Sequence, residues 1–249
     1  MSHLTITLNN STETKIILPR SYQHQLQAMI YHLPSSQYAD FLHNTGFSPD
    51  ANKNTKYKMF SFSRLIPNKR PKQIEENKIE LSLPLKLIIS TPKEEIAEEF
   101  QTGALLSNTL RLGNNILHCE SVESYSPVVS EEIEVKTLSP ILCFTKRSDG
   151  YKIYHSPYDN RFGEVINRIL KRKYKIITGT EYTGADLRII PRGRVIGSID
   201  RYYYDPHRFL STKVWSGSFK LTGSEELAKT ALSCGLGELN SSGYGCVIP

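Results

Sequence analysis

The chain opens on a strict two-residue alternation. Leu4, Ile6 and Leu8 stand against Thr5, Thr7 and Asn9, and the apolar run resumes at Ile16 to Leu18, which predicts one or two strands across residues 4–18. The period then lengthens. Tyr22, Leu26, Met29, Ile30 and Leu33 recur at steps of three and four, a helix with Ser21 as its cap and Pro34 as its stop. A second helical piece starts near Ser35 and Ser36, carries Tyr38, Phe41 and Leu42, and ends around residues 44–46. Two strand-like runs follow at 56–66 and 79–90, with a basic, polar linker between them. In "STPKEEIAEEFQTGALLS" the expected cap is Ser90 or Thr91, Pro92 sits in the first turn, and Ile96 and Phe100 share a helix face. "NNILHCESVES" supplies a last strand. The order is β-α-β-β-α-β, the split unit of ferredoxin-like folds.

The second half repeats that order without repeating the sequence. Strand signals at 133–146 and in "YKIYHS" precede "NRFGEVINRILKRKY", where Phe162, Val165, Ile166, Ile169 and Leu170 line one helix face. Two more strands lie in "ADLRIIPRGRVIGSIDRYYYD" and "TKVWSGSFKLTG", then a short helix, "SEELAKTALSCGLG", stopped by glycine, and a final strand, "YGCVI". With a linker across residues 120–132, the pattern predicts an α+β protein of two tandem ferredoxin-like βαββαβ domains, 1–124 and 125–249.

Composition narrows what such a scaffold binds. The 249 residues are 39% hydrophobic, enough for a real core, and the net charge of +6 favours a polyanion such as nucleic acid over an anionic membrane. Cys119, Cys143, Cys234 and Cys246 lack paired spacing, which argues against a zinc ribbon, a redox pair or a secreted disulfide framework. No apolar run reaches the length of a membrane span, and "MSHLTITLNNSTETK" lacks a signal-peptide core, so a cytoplasmic protein is expected.

Three groups of residues could carry chemistry. Gly235, Gly237, Gly243 and Gly245 flank "ELNSS" in a loop whose amides could meet a phosphate chain, the plainer alternative being a helix cap and a turn; Rossmann and Walker spacings are absent. Lys171, Arg172, Lys173, Lys175, Arg192 and Arg194 form a basic stretch, with Tyr202 to Tyr204 and Trp215 nearby. That mixture suits RNA, which needs charge at its phosphates and stacking at its bases, and is equally what a solvated basic face looks like. None of the seven histidines forms a metal-ligand pair, so neither a metal nor a cofactor is expected. His43 stands apart at a helix end, where the dipole favours an imidazolium, with Lys53, Lys56 and Lys58 following it. A proton-transfer group beside cations is what metal-free cleavage of an RNA phosphodiester needs.

The tail "GLGELNSSGYGCV" resembles the glycine-rich signature of the CRISPR-associated endoribonucleases of Cas family six, in the RAMP superfamily, with Tyr244 where a phenylalanine is usual. "QLQAMIYHLP", "YADFLHNTGF", "KYKMFSFSRL", "TLSPI" and "SGSFKLTGSEEL" are also similar to that family, so the resemblance spans both halves. It implies tandem ferredoxin-like domains and cleavage of CRISPR repeat RNA (pre-crRNA) to crRNAs, with a 2′,3′-cyclic phosphate and a 5′-hydroxyl as products. Carried over by motif, the catalytic residues are Tyr31 in "AMIYHL", His43 in "FLHNTG" and Lys58 in "KMFSFS". His32 stands as a second candidate, and the long stretch between His43 and Lys58 leaves Lys53 and Lys56 as alternatives. Gly235, Gly237, Gly243, Gly245, Lys171, Arg172, Lys173, Arg192 and Arg194 are the expected RNA contacts, the glycine loop serving either as backbone contact to RNA or as packing between the domains. Other Cas proteins of an effector complex and a second copy of the chain are further candidate partners. The competing expectation is a non-catalytic RAMP scaffold that only holds crRNA. A generic RNA-binding module of RRM topology is a third, but "MFSFSRL" lacks its aromatic motif.

Overall fold

The computed structural model describes residues 1–50, 55–205 and 208–249, without the side chains of residues 202–205 and 210. The first half contains β1 (Ser2–Asn9), β2 (Lys15–Pro19), α1 (Gln23–Tyr31), α2 (Ser36–Asp40), β3 (Ser61–Phe62), β4 (Ile66–Pro67), β5 (Lys72–Glu75), β6 (Lys78–Ser82), β7 (Leu85–Thr91), α3 (Glu94–Leu106), β8 (Leu110–Leu112) and β9 (Asn115–Tyr125). Its main sheet runs β3-β7-β1-β9-β8, with β4 also paired to β7. The inward side chains Leu4, Ile6 and Leu8 of β1 are buried with Leu26, Met29 and Ile30 of α1 and with Ile96 and Phe100 of α3, the helices' apolar faces that the spacing predicted. A separate small sheet, β2-β6-β5, is added beside it.

The second half contains β10 (Glu132–Thr137), β11 (Phe144–Lys146), β12 (Lys152–Tyr154), α4 (Asn160–Thr178), β13 (Arg188–Asp205), β14 (Arg208–Thr222), α5 (Glu225–Cys234) and β15 (Val247–Ile248). Its sheet runs β13-β14-β10-β15. Phe219 and Leu221 of β14 pack with Phe162, Ile166 and Leu170 of α4 and Leu227 and Ala231 of α5. In both main sheets the first and third strands of the split unit lie side by side at the centre, so the fold is two tandem ferredoxin-like units. No helix among the described residues is long and apolar enough to cross a membrane.

Several local expectations are corrected. Ser21 does not cap α1; Tyr22 takes that position, buried, with its hydroxyl accepting from the Leu65 amide at 3.0 Å. Ser90 and Thr91 lie inside β7 and spend their hydroxyls on Ser61 and on the Met59 carbonyl, so α3 begins later, at Glu94, and Pro92 falls outside its first turn. The run 79–90 is cut at Leu83 and Pro84 into β6 and β7, which belong to different sheets, and part of the basic linker pairs as β5. In 56–66 only Ser61–Phe62 and Ile66 pair as strand, leaving Lys58 in irregular chain just before β3. The stretch 133–146 divides similarly, its end forming the β11-β12 hairpin, and the connection between halves is only residues 126–131.

Candidate active site

The residues after α2 wind into one π-helical turn, Phe41–Thr45, a local widening that often marks functional positions. Leu42 is fully buried and anchors the turn, which leaves His43 exposed on its other side. Two lysines tie the turn down: Lys58 Nζ donates to the His43 carbonyl at 2.6 Å and Lys56 Nζ to the Asn44 carbonyl at 2.8 Å. Tyr31, the last residue of α1, meets His43 edge-on with ring centroids 6.3 Å apart. Tyr31, His43, Lys56 and Lys58 all line one cleft of about 390 Å³. Its opposite wall is the glycine loop, residues 237–242.

The environment sets the charge states. Burial lifts the Tyr31 phenol above its ordinary range, with a hydrogen bond from Ser241 pulling it partly back. Burial, and then the charge of Lys56, hold Lys58 below the ordinary lysine value. The His43 Nδ1 lies 3.0 Å from the Asn44 side-chain oxygen, so as a donor it leaves Nε2 open. Met59, between Lys58 and the buried Phe60, adopts φ 57°, a strained conformation for a residue with a side chain, and its carbonyl is held by Thr91.

The glycines do something other than present amides. All four are buried, with φ between 71° and 88°. A Cβ on Gly245 would lie 1.9 Å from the Leu236 carbonyl oxygen, and one on Gly237 2.3 Å from that of Leu142. The amides of Gly235, Gly243 and Gly245 donate to Ala231, Asn240 and Pro140, so they are spent within the protein. Gly235 abuts Ser61 and Gly243 abuts Phe62, which places the loop against the first half of the chain. Of the two roles left open for the loop, the packing role is the one these contacts fill, and the loop then offers the cleft the side chains between its glycines.

The basic candidates separate in the same way. Arg172 lines the cleft beside Tyr57, whose phenol it helps hold down against the effect of burial. Lys173 is buried and its Nζ donates to Cys234 O and Gly235 O at 3.0 Å and to Asn240 Oδ1 at 2.6 Å; burial pushes it down to about 8. All three of its protons are committed to the loop, which leaves none for a phosphate. Lys171 pairs with Asp186 and Arg192 with Glu134, and neither these two nor Arg194 lines the cleft. His32 is exposed at the end of α1 and does not line it either. Trp215 is buried against Phe162 as core rather than as a stacking platform. Lys53 and the side chains of Tyr202 to Tyr204 lie outside the described residues.

Sequence reasoning missed Gln27, Tyr57, Glu238 and Ser241. Gln27 precedes Tyr31 by one helical turn, which was a usable signal, and its amide donates to Ser241 O at 2.9 Å. Tyr57 had none.

Fold and site together define a two-unit ferredoxin-like protein with proton-transfer groups and cations in a cleft closed by a glycine-rich loop. The family described as "CRISPR-associated protein Cas6, N-terminal" matches residues 17–123, and "CRISPR associated protein Cas6, C-terminal" matches 123–248. The chain is 30% identical to the CRISPR-associated endoribonuclease Cas6 1 of Methanocaldococcus jannaschii, across 98% of this chain and 91% of that protein. It is 25% identical to the CRISPR-associated endoribonuclease Cas6 of Pyrococcus furiosus, across 92% and 83%. A solved "CRISPR associated protein Cas6" superposes with a TM-score of 0.76 at 25% identity, covering 100% of this chain and 99% of that one. "An RAMP protein binding different RNA substrates" matches in fold, with a TM-score of 0.80 at 20% identity over 99% and 98% of the two chains. The chain belongs to the CRISPR-associated Cas6 family.

Proposed function

We propose that this protein is an endoribonuclease that cuts CRISPR repeat RNA by attack of a ribose 2′-hydroxyl on the adjacent phosphate, without a metal. The observation that carries the reading is the convergence of Tyr31, His43 and Lys58 in one cleft. His43 takes the proton of the 2′-hydroxyl as the 2′-oxygen bonds to phosphorus. Tyr31, which burial keeps protonated, gives a proton to the 5′-oxygen as the P–O5′ bond breaks, and the products are a 2′,3′-cyclic phosphate and a 5′-hydroxyl. The Lys58 ammonium, fixed on the His43 carbonyl, faces the charge that builds on the pentacoordinate phosphorus.

The test is cleavage of labelled repeat RNA in EDTA by the wild type and by His43→Ala, with a parallel substrate carrying a 2′-deoxyribose at the cut site. The expected result is single-site cutting that survives EDTA, fails on the deoxy substrate, and slows about 10²–10⁴-fold in the variant with binding nearly intact. Undiminished cutting by His43→Ala would remove that residue from the chemistry. Tight binding with no cutting by the wild type would point instead to a crRNA-holding scaffold.

A further inference from the structure

Glu238 is the sole carboxylate among the described residues that line the cleft. Its amide is fixed by donation to Leu142 O at 2.8 Å. Its side chain makes no hydrogen bond or ion pair with a described residue; burial lifts its carboxyl above the ordinary range, and the charges of Lys173, Arg168, Arg172 and Lys146 pull it partly back toward the carboxylate. The Lys173 ammonium is already committed elsewhere. The next residue is equally out of place. Leu239 has φ 54° and ψ 40°, a left-handed conformation that costs a leucine and not a glycine, and its side chain is 42% exposed at the cleft.

A phosphodiester gains nothing from either residue, since the carboxylate repels it and an isobutyl group offers it no donor. A nucleobase gains from both. Single-stranded RNA presents unstacked bases whose edges can hydrogen-bond and whose faces pack on flat or apolar groups. Among the four bases, only guanine places two adjacent N–H donors, N1–H and the N2 amine, on its Watson–Crick edge, in the spacing of the two oxygens of a carboxylate. Strained residues cluster at sites where a ligand uses the conformation, and here the strain puts an apolar side chain beside the acid.

We propose that Glu238 and Leu239 form a guanine subsite next to the scissile phosphate, the carboxylate reading the base edge and the leucine its face. This rests on the ribonuclease reading of the same cleft. The experiment exposes wild type, Glu238→Gln and Leu239→Gly to a library of random 12-nucleotide RNAs, then sequences the retained RNAs and the cut ends separately. In the wild type, guanine should be enriched at one fixed position by about 5- to 150-fold, the range for one good bidentate contact. Glu238→Gln should lose that enrichment, and Leu239→Gly should retain less guanine-bearing RNA while melting at a higher temperature. The proposal is overturned by guanine enrichment that persists in Glu238→Gln, by a uniform gain of affinity for all sequences in that variant, or by a wild type with no base preference. Retention unchanged by Leu239→Gly removes the leucine from the subsite. Enrichment among retained RNAs without cut ends would sustain the subsite while refuting the nuclease.

Discussion

Lys56 and Lys58 hold the same π-turn through neighbouring carbonyls, yet only Lys58 is half-buried. Under the proposed mechanism its depressed pKa sets an alkaline limit: as pH rises, Lys58 loses its proton earlier than an ordinary lysine, whereas burial keeps Tyr31 protonated past the ordinary tyrosine value. Removing the like charge in Lys56→Ala should therefore move the alkaline limb of the rate profile to higher pH. A limb that stays in place in that variant would assign it to another group. At this scale the sequence was partly legible. Tyr31, His43 and Lys58 came from short motifs, and the structure brings the three to one cleft; their chemical roles belong to the proposal. Lys173 was misread because a lysine in the run "LKRKYK" looks like a surface cation. Only the helical phase of α4, with Ile169 and Leu170 also buried, turns it inward onto the loop.

The glycine loop works as an element through backbone closeness. Gly150 and Gly245 share a left-handed φ, 83° and 71°, but a Cβ on Gly150 meets nothing within 4 Å while one on Gly245 enters the Leu236 carbonyl. Gly150→Ala should cost about 1–2 kcal/mol from the backbone conformation alone. In Gly245→Ala, overpacking adds roughly another 1–3 kcal/mol. Equal denaturation midpoints for the two variants would refute the steric account, and loss of cleavage is expected only with Gly245→Ala. Elements with strong period were readable at this level, such as α4 and β1. The small sheet β2-β6-β5 was not, because residues 67–78 are mostly polar and the partner that completes it, β2, lies far from β6 in sequence. The cap of α3 misled for a related reason: Ser90 and Thr91 satisfy a capping pattern but bond Ser61 and the Met59 carbonyl instead.

The two units are joined across a seam by named contacts. Arg64 pairs with Asp200 at 2.6 Å, Lys175 with Asp50 at 2.6 Å, and His3 in β1 meets the Leu232 carbonyl in α5 at 3.0 Å. Because its partner is a carbonyl, His3 holds its proton on Nε2, and burial lowers its pKa from 6.5 to about 4. The folded state thus resists the second proton that the unfolded chain accepts below 6.5. Stability should fall by about 3 kcal/mol as pH drops from 6.5 to 4, where the unfolded state binds more protons, and level off below 4. Denaturant unfolding across that window should show a shallower slope in His3→Gln; an identical slope would locate the acid sensitivity elsewhere. The tandem architecture was readable from element order alone, but the seam was not, since its contacts join residues more than a hundred positions apart.

The cleft also has a history in time. A ribosome releases a chain from its amino end, so His43 and Lys58 emerge long before Gly235 to Gly245 close the opposite wall. A translation product broken off between them carries the proposed acid-base groups without the wall that faces them. Under the proposed mechanism, cutting therefore waits until the glycine loop has been synthesised and folded against the first half.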